Sequence, residues 1–125
     1  MDIQWFPKTA PGVVSIYETN ITLNKVVCDY FKDAYSTLIG YDKSNHLLLI
    51  KSLNKEEATL PKYSTNDLHS ISIKPTYGRI NGKGIIKNLA KFYPLDFSRK
   101  SLYKFDCEWD ASQKILKVNL EREVL

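Results

Sequence analysis

Apolar residues alternate with polar ones along much of this chain, and such alternation is typical of β-strands. The clearest example lies between Leu102 and Asp110, where charged residues occupy the intervening positions. One face of this predicted strand carries Tyr103, Phe105, Cys107 and Trp109. Aromatic residues on one strand face can stack on single-stranded bases. We favour a core-facing role, because apolar residues also fill the strand predicted to follow.

An internal repeat accompanies this alternation. The segment Tyr41–Ile50 aligns with Trp109–Val118, and each copy has an aromatic residue, a polar turn with Asp and Ser, and an apolar run. Because Asp and Ser side chains accept hydrogen bonds from turn amides, each copy predicts a β-hairpin.

A short helix is predicted before each hairpin. In the first half an apolar stripe runs over residues 26–34, and Asn24 is placed to cap the helix start. In the second half a similar stripe runs over residues 85–93, and Pro94 is expected to end the helix.

The order of predicted elements in each half is strand, short strand, helix and hairpin. We divide the chain into an N-terminal segment (1–12), a first repeat (13–53), a linker (54–66) and a second repeat (67–125). About 55 residues bury too little apolar surface to be comfortably stable alone. We therefore expect a mostly β (α+β) fold in which both repeats pair into one small, barrel-like body.

The net charge of +4 lies in the second repeat. Residues 1–62 hold seven lysines and seven acidic residues, whereas residues 74–104 hold eight basic residues against the lone Asp96, a net charge of +7. This asymmetry suits a phosphate backbone, although a solvated lysine-rich face has the same composition. The candidate nucleic-acid-binding residues are Lys74, Arg79, Lys83, Lys87, Lys91, Arg99 and Lys100.

Three of these candidates, Lys83, Lys87 and Lys91, are spaced i, i+4 and i+8 in the second predicted helix. Positions four apart are neighbours on a helix surface. The spacing therefore predicts a lysine stripe on a face away from the apolar one.

Sequence signatures of catalysis, metal binding and membrane insertion are missing. The glycines at 78, 82 and 84 lack the Gly-Lys-Ser/Thr ending of a phosphate-binding loop. The two histidines stand alone, and the two cysteines form no Cys-x-x-Cys pair. The apolar runs are too short to span a membrane, and the N-terminus does not resemble a signal peptide. We expect a cytoplasmic, non-enzymatic protein with free thiols and neither cofactor nor metal.

The second half resembles the AbrB-type swapped-hairpin DNA-binding domain, which is also seen as two copies per chain in MraZ-like proteins. The resemblance rests on Ser72–Ile80 with its Gly78-Arg79 pair, on the helix at 84–92 and on the hairpin at 102–120. Two departures stand out. Glycines flank Lys83 where the family has a proline, and the first half has no Gly-Arg pair.

This resemblance implies a transcriptional regulator that binds double-stranded DNA as a homodimer or larger assembly. Arg79 would contact the groove or a base, because its planar guanidinium binds bidentately. The lysines would contact phosphates. The alternative is a non-catalytic protein-interaction module, such as a phage or mobile-element accessory protein, which docks a partner through Trp5 and Phe6.

Overall fold

The computed structural model describes residues 2–5 and 11–124, and the prediction of a mostly β fold is confirmed. The elements are β1 (Val13–Tyr17), β2 (Asn20–Asn24), α1 (Lys25–Tyr30), β3 (Ser36–Asp42), β4 (Leu47–Leu53), α2 (Lys55–Ala58), β5 (Ser72–Ile73), β6 (Tyr77–Asn81), α3 (Lys83–Ala90), β7 (Leu102–Asp110) and β8 (Ile115–Glu123). None of these helices is long and apolar enough to cross a membrane.

All eight strands belong to one antiparallel sheet in the order β3-β4-β8-β7-β1-β2-β6-β5, which curls into a half-barrel. Three of the strand pairs join the two halves of the chain, namely β1 with β7, β2 with β6 and β4 with β8. Inward-facing residues of both halves, among them Ile16, Leu23, Ile50 and Leu116, are fully buried in one core. The two halves therefore share one sheet and one hydrophobic core.

The turns of the hairpins β3–β4 and β7–β8 have the same construction, as the repeat predicts. In each, the aspartate that ends the incoming strand accepts hydrogen bonds from the backbone N–H groups two and three residues later. The distances are 3.0 and 3.3 Å at Asp42, and 3.0 and 3.1 Å at Asp110. The last residue of each turn, His46 or Lys114, has a φ of 55°.

Aromatic stacking joins each helix to the hairpin of the other half. Tyr30 at the end of α1 stacks on Trp109 of β7, with 5.0 Å between ring centroids. Phe92, just after α3, stacks on Tyr41 of β3 at 4.9 Å. Phe105 is fully buried, and Tyr103 and Trp109 pack partly buried against the core. The core-facing interpretation of the β7 aromatic residues is therefore confirmed.

Helix α3 differs from its prediction at one end. Ile85, Ile86 and Leu89 are buried as expected, but the helix ends at Ala90 rather than at Pro94. The Leu89 carbonyl accepts from the Phe92 and Tyr93 N–H groups at 2.9 and 3.0 Å, three and four residues later. The last turn thus mixes three- and four-residue spacing before the proline is reached.

Two segments, the linker and the N-terminal segment, lie outside the repeats. The predicted linker contains α2, where Asn54 and Glu57 cap each other's backbone N–H groups in a capping box. Within the N-terminal segment Trp5 is 83% exposed, whereas Phe6 and Pro7 lie outside the described residues.

The repeat gives the half-barrel two corresponding junctions, which we call seams: one between β1 and β7, and one between β3 and the segment at β5. The two seams are closed unequally. On one side, β1 pairs with β7 along its whole length. On the other, β3 meets the segment before β5 only at Thr37 and His69, whose backbones exchange two hydrogen bonds of 2.9 Å. The edge of β3 beyond Thr37 therefore has no strand partner in the described part of the chain.

We expect Asn24→Ala to destabilise the protein more than Asn54→Ala. Asn24 caps α1 by accepting from the Val27 N–H, accepts from the Val13 N–H and donates to the Pro11 carbonyl. Losing a cap costs about 1 kcal/mol, and the two further bonds should bring the loss in unfolding free energy toward about 2 kcal/mol. Urea denaturation measures both variants. Equal losses would mean that Asn24 acts only as a cap.

We also expect stability to fall as pH is lowered through about 6.5, the ordinary pKa of histidine. Burial lowers the pKa of His69, so the unfolded chain takes up this proton first and protonation favours unfolding. Urea midpoints measured from pH 7.5 to 5 should decline more steeply for the wild type than for His69→Gln. Superimposable pH profiles would contradict this assignment.

Candidate nucleic-acid interface

A row of polar side chains crosses the outer surface of five strands. Strand register places Lys104, Ser15, Thr22, Arg79 and Ser72 side by side on β7, β1, β2, β6 and β5. Neighbouring strands lie about 4.8 Å apart, so this polar row extends about 19 Å. Lys104 and Arg79 are exposed, and the row contains no acidic residue.

The positions on either side of the polar row are nearly all uncharged. They are Val13, Tyr17, Asn20, Asn24, Tyr77, Asn81, Leu102 and Asp106. The Asp106 carboxylate lies 3.7 Å from the Arg122 guanidinium, which offsets its charge. Arg79 lies over the Tyr77 ring, 5.4 Å from its centroid. The outer sheet surface is therefore a mixture of polar, aromatic and apolar side chains, with positive charge at Arg79 and Lys104.

Lys83 and Lys87 lie on α3, which follows the end of β6. Both are exposed, and both line a cleft of about 430 Å³ between α3, the β1–β2 turn and the loop that holds Leu95 and Phe97. Glu18 of the β1–β2 turn also lines this cleft and supplies its one acidic side chain among the described residues. Gly82 joins α3 to β6 and donates its N–H to the Thr19 carbonyl at 2.9 Å. This bond fixes the start of α3 beside the β1–β2 turn.

Lys91 does not belong to the same surface. It lines a larger groove of about 590 Å³ on the other side of α3, together with Tyr41 and Phe92. Each residue advances 100° around a helix, so an i+8 position is rotated by about 80° from the first. The structure therefore divides the predicted lysine stripe between two grooves.

The remaining candidates lie in turns and loops. Lys74 is in the β5–β6 turn, where its N–H donates to the Tyr77 carbonyl at 2.8 Å. Arg99 is exposed in the loop before β7. The neighbouring Lys100 forms an ion pair with Glu123 and lies 4.8 Å from the Tyr103 ring centroid. Among the seven candidates, Lys100 alone has an acidic partner within the described part of the chain.

Strand register creates a part of this surface that the sequence alone did not reveal. Ser15 and Thr22 come from the neutral first repeat, yet they separate Arg79 from Lys104 in the polar row. Lys104 belongs to the basic stretch but was not among the candidates. Its position opposite the core-facing aromatic residues of β7 was the available signal.

The described residues hold no group of three His, Cys, Asp or Glu side chains arranged to bind a metal. Both cysteines are free thiols, and burial raises the pKa of each, to about 11 for Cys107. A pKa of about 11 leaves Cys107 almost entirely as the thiol near neutral pH, and the thiolate is the reactive form. Burial acts in the same direction on Cys28.

No family model, curated protein or solved structure matches this chain.

Proposed function

We propose that this protein binds double-stranded DNA and acts as a transcriptional regulator. The surface involved is the polar row together with Lys83 and Lys87. The polar row supports this proposal most strongly, because it combines two exposed cations with two serine hydroxyl groups and has no acidic member. The Thr22 hydroxyl already donates to the Asn20 side chain at 2.8 Å. Arginine, lysine, serine and threonine are the side chains that commonly donate hydrogen bonds to phosphate oxygens.

Arg79 and the lysines have different roles in this proposal. Arg79 lies in the polar row between Ser72 on β5 and Thr22 on β2. Its guanidinium can bind a guanine edge bidentately. In this proposal Lys83, Lys87 and Lys104 contact the phosphate backbone. Lys100 contributes less, since Glu123 already neutralises it.

A protein-interaction module remains the second candidate function, and one observation favours it. Ile3 is 53% exposed and Trp5 is 83% exposed, so two large apolar side chains face solvent within four residues. Clustered exposed apolar residues commonly mark an interaction site. This module and the proposed DNA surface involve different residues and are compatible in one protein.

The first prediction concerns salt. Changing Lys83 and Lys87 together to Gln should weaken binding to random duplex DNA at low salt. Because each lost phosphate contact contributes about 0.9 to the slope, the log–log salt dependence should flatten by about 2. Fluorescence anisotropy across a salt series measures both quantities.

Two variants serve as controls for this prediction. Lys32→Gln/Lys55→Gln removes the same charge from exposed positions of the first repeat and the linker and should leave the slope unchanged. Lys91→Gln should change the slope less than Lys83→Gln or Lys87→Gln does, because Lys91 lines the other groove. If the two double variants lose affinity equally, binding depends on net charge and not on the proposed surface.

The second prediction concerns sequence preference. Arg79→Lys keeps the charge but loses the planar fork, so nonspecific affinity should change little. Selection from a random duplex pool should enrich a common sequence with the wild type and lose about 10-fold or more of that enrichment with Arg79→Lys. The same enriched sequence from both proteins would remove Arg79 from base recognition.

A further inference from the structure

The free edge of β3 presents unpaired backbone groups. Thr37 directs both its N–H and its C=O toward His69, away from β4. The direction of the N–H and C=O groups in a strand repeats every second residue. Ile39 and Tyr41 therefore direct their N–H and C=O groups to the same edge as Thr37. Beyond the Thr37–His69 bridge, no described residue pairs with these groups.

A groove runs beside this edge, between β3 and α3. Its volume is about 590 Å³, and its walls are largely apolar, with Ile39, Tyr41, Ile85, Leu89 and Phe92 among them. None of the described residues that line it is acidic. Lys91 lines it, and the Lys43 ammonium lies 5.1 Å from the Phe92 ring centroid at its wall. An unpaired strand edge beside an apolar groove is how proteins bind an added strand.

The other seam of the half-barrel shows how such an edge is filled. There β7, which corresponds to β3 in the repeat, pairs with β1 over five residues from Val13 to Tyr17. The second repeat has only the two-residue β5 in the place of β1, and β5 pairs with β6 alone. The seam at β3 therefore lacks a strand that its counterpart has.

The chain has a segment with the properties this seam needs. In Asp2–Trp5 the apolar residues Ile3 and Trp5 alternate with the polar Asp2 and Gln4. All four are exposed and none lies in a helix or strand. Alternation with period two matches an extended strand with one apolar face. Asp2 also supplies the negative charge that the groove, with Lys43 and Lys91 beside it, lacks.

We propose that the Asp2–Trp5 segment of a second copy pairs with the free edge of β3. Ile3 and Trp5 enter the groove near Tyr41 and Phe92, and Asp2 meets Lys43 or Lys91. Exchange of this segment between two chains gives each groove an occupant, and the contact is the same on both sides of a two-fold axis. The proposal involves no residue of the polar row, so it stands or fails separately from DNA binding.

Gly84→Trp tests the groove. Gly84 lines the groove and a Cβ there would meet nothing within 4 Å, so a side chain can leave the backbone without a clash, and we expect an indole at this position to obstruct the groove. Sedimentation equilibrium of the full chain should give a dimer at micromolar concentration. Gly84→Trp should raise the dimer dissociation constant at least tenfold. Ala90→Trp adds the same side chain on the opposite side of α3 and should leave it unchanged.

Trp5→Ser tests the occupant. This variant should likewise raise the dimer dissociation constant at least tenfold, and a synthetic peptide of residues 1–11 should bind to it but not to Gly84→Trp. Hydrogen exchange gives the structural readout. The Ile39 and Tyr41 amides should be protected in the wild-type dimer and in the peptide complex, and exchange freely in Trp5→Ser alone.

Three results would overturn the proposal. One is a wild type that stays a 14.4 kDa monomer at millimolar concentration. Another is a dimer that survives both Gly84→Trp and Trp5→Ser, since it would use a different surface. The third is a monomer whose Ile39 and Tyr41 amides are protected only while Trp5 is present, because the segment would then fill the groove of its own chain.

Discussion

Strand pairing between the two halves is the constraint on which the rest of the structure depends. The pairs β2–β6 and β4–β8 give each half the neighbours that it cannot supply itself. A repeat of this size buries too little surface alone, and the joint core with Ile21, Ile80, Ile50 and Leu116 solves that problem. The stacking of Tyr30 on Trp109 and of Phe92 on Tyr41 follows from the same exchange of partners.

The shared sheet also changes how the charge asymmetry should be interpreted. Sequence confines the net positive charge to the second repeat, but the surface at Arg79 includes strands of both repeats. The first repeat contributes Ser15 and Thr22, uncharged and at the centre of the polar row. The neutral first repeat thus contributes to the proposed interface, because it separates the cations and places no acidic group between them.

Much of the fold was predictable because its signals are local. The Asp-containing turns at 42 and 110 and the Asn24 cap depend on side chains bonding to nearby backbone, and sequence spacing reveals such bonds. The polar row was not predictable, since it depends on register between strands far apart in the chain. The rotation of Lys91 by about 80° from Lys83 was visible in the spacing, but the two grooves on either side of α3 depend on tertiary packing. The capping box of α2 was visible as Asn54 and Glu57 but was overlooked.

The pairing of β1 with β7 has a consequence for how the molecule is made. Val13, near the start of the chain, lies opposite Asp106, near its end. Contacts between such distant residues are reached late, because a long loop must close before they form. During synthesis the first strand has β2 on one side and nothing on the other until most of the chain has been translated. Such β topologies are expected to fold in milliseconds to seconds. During that time the unpaired edge of β1 on the newly synthesised chain is exposed to other molecules.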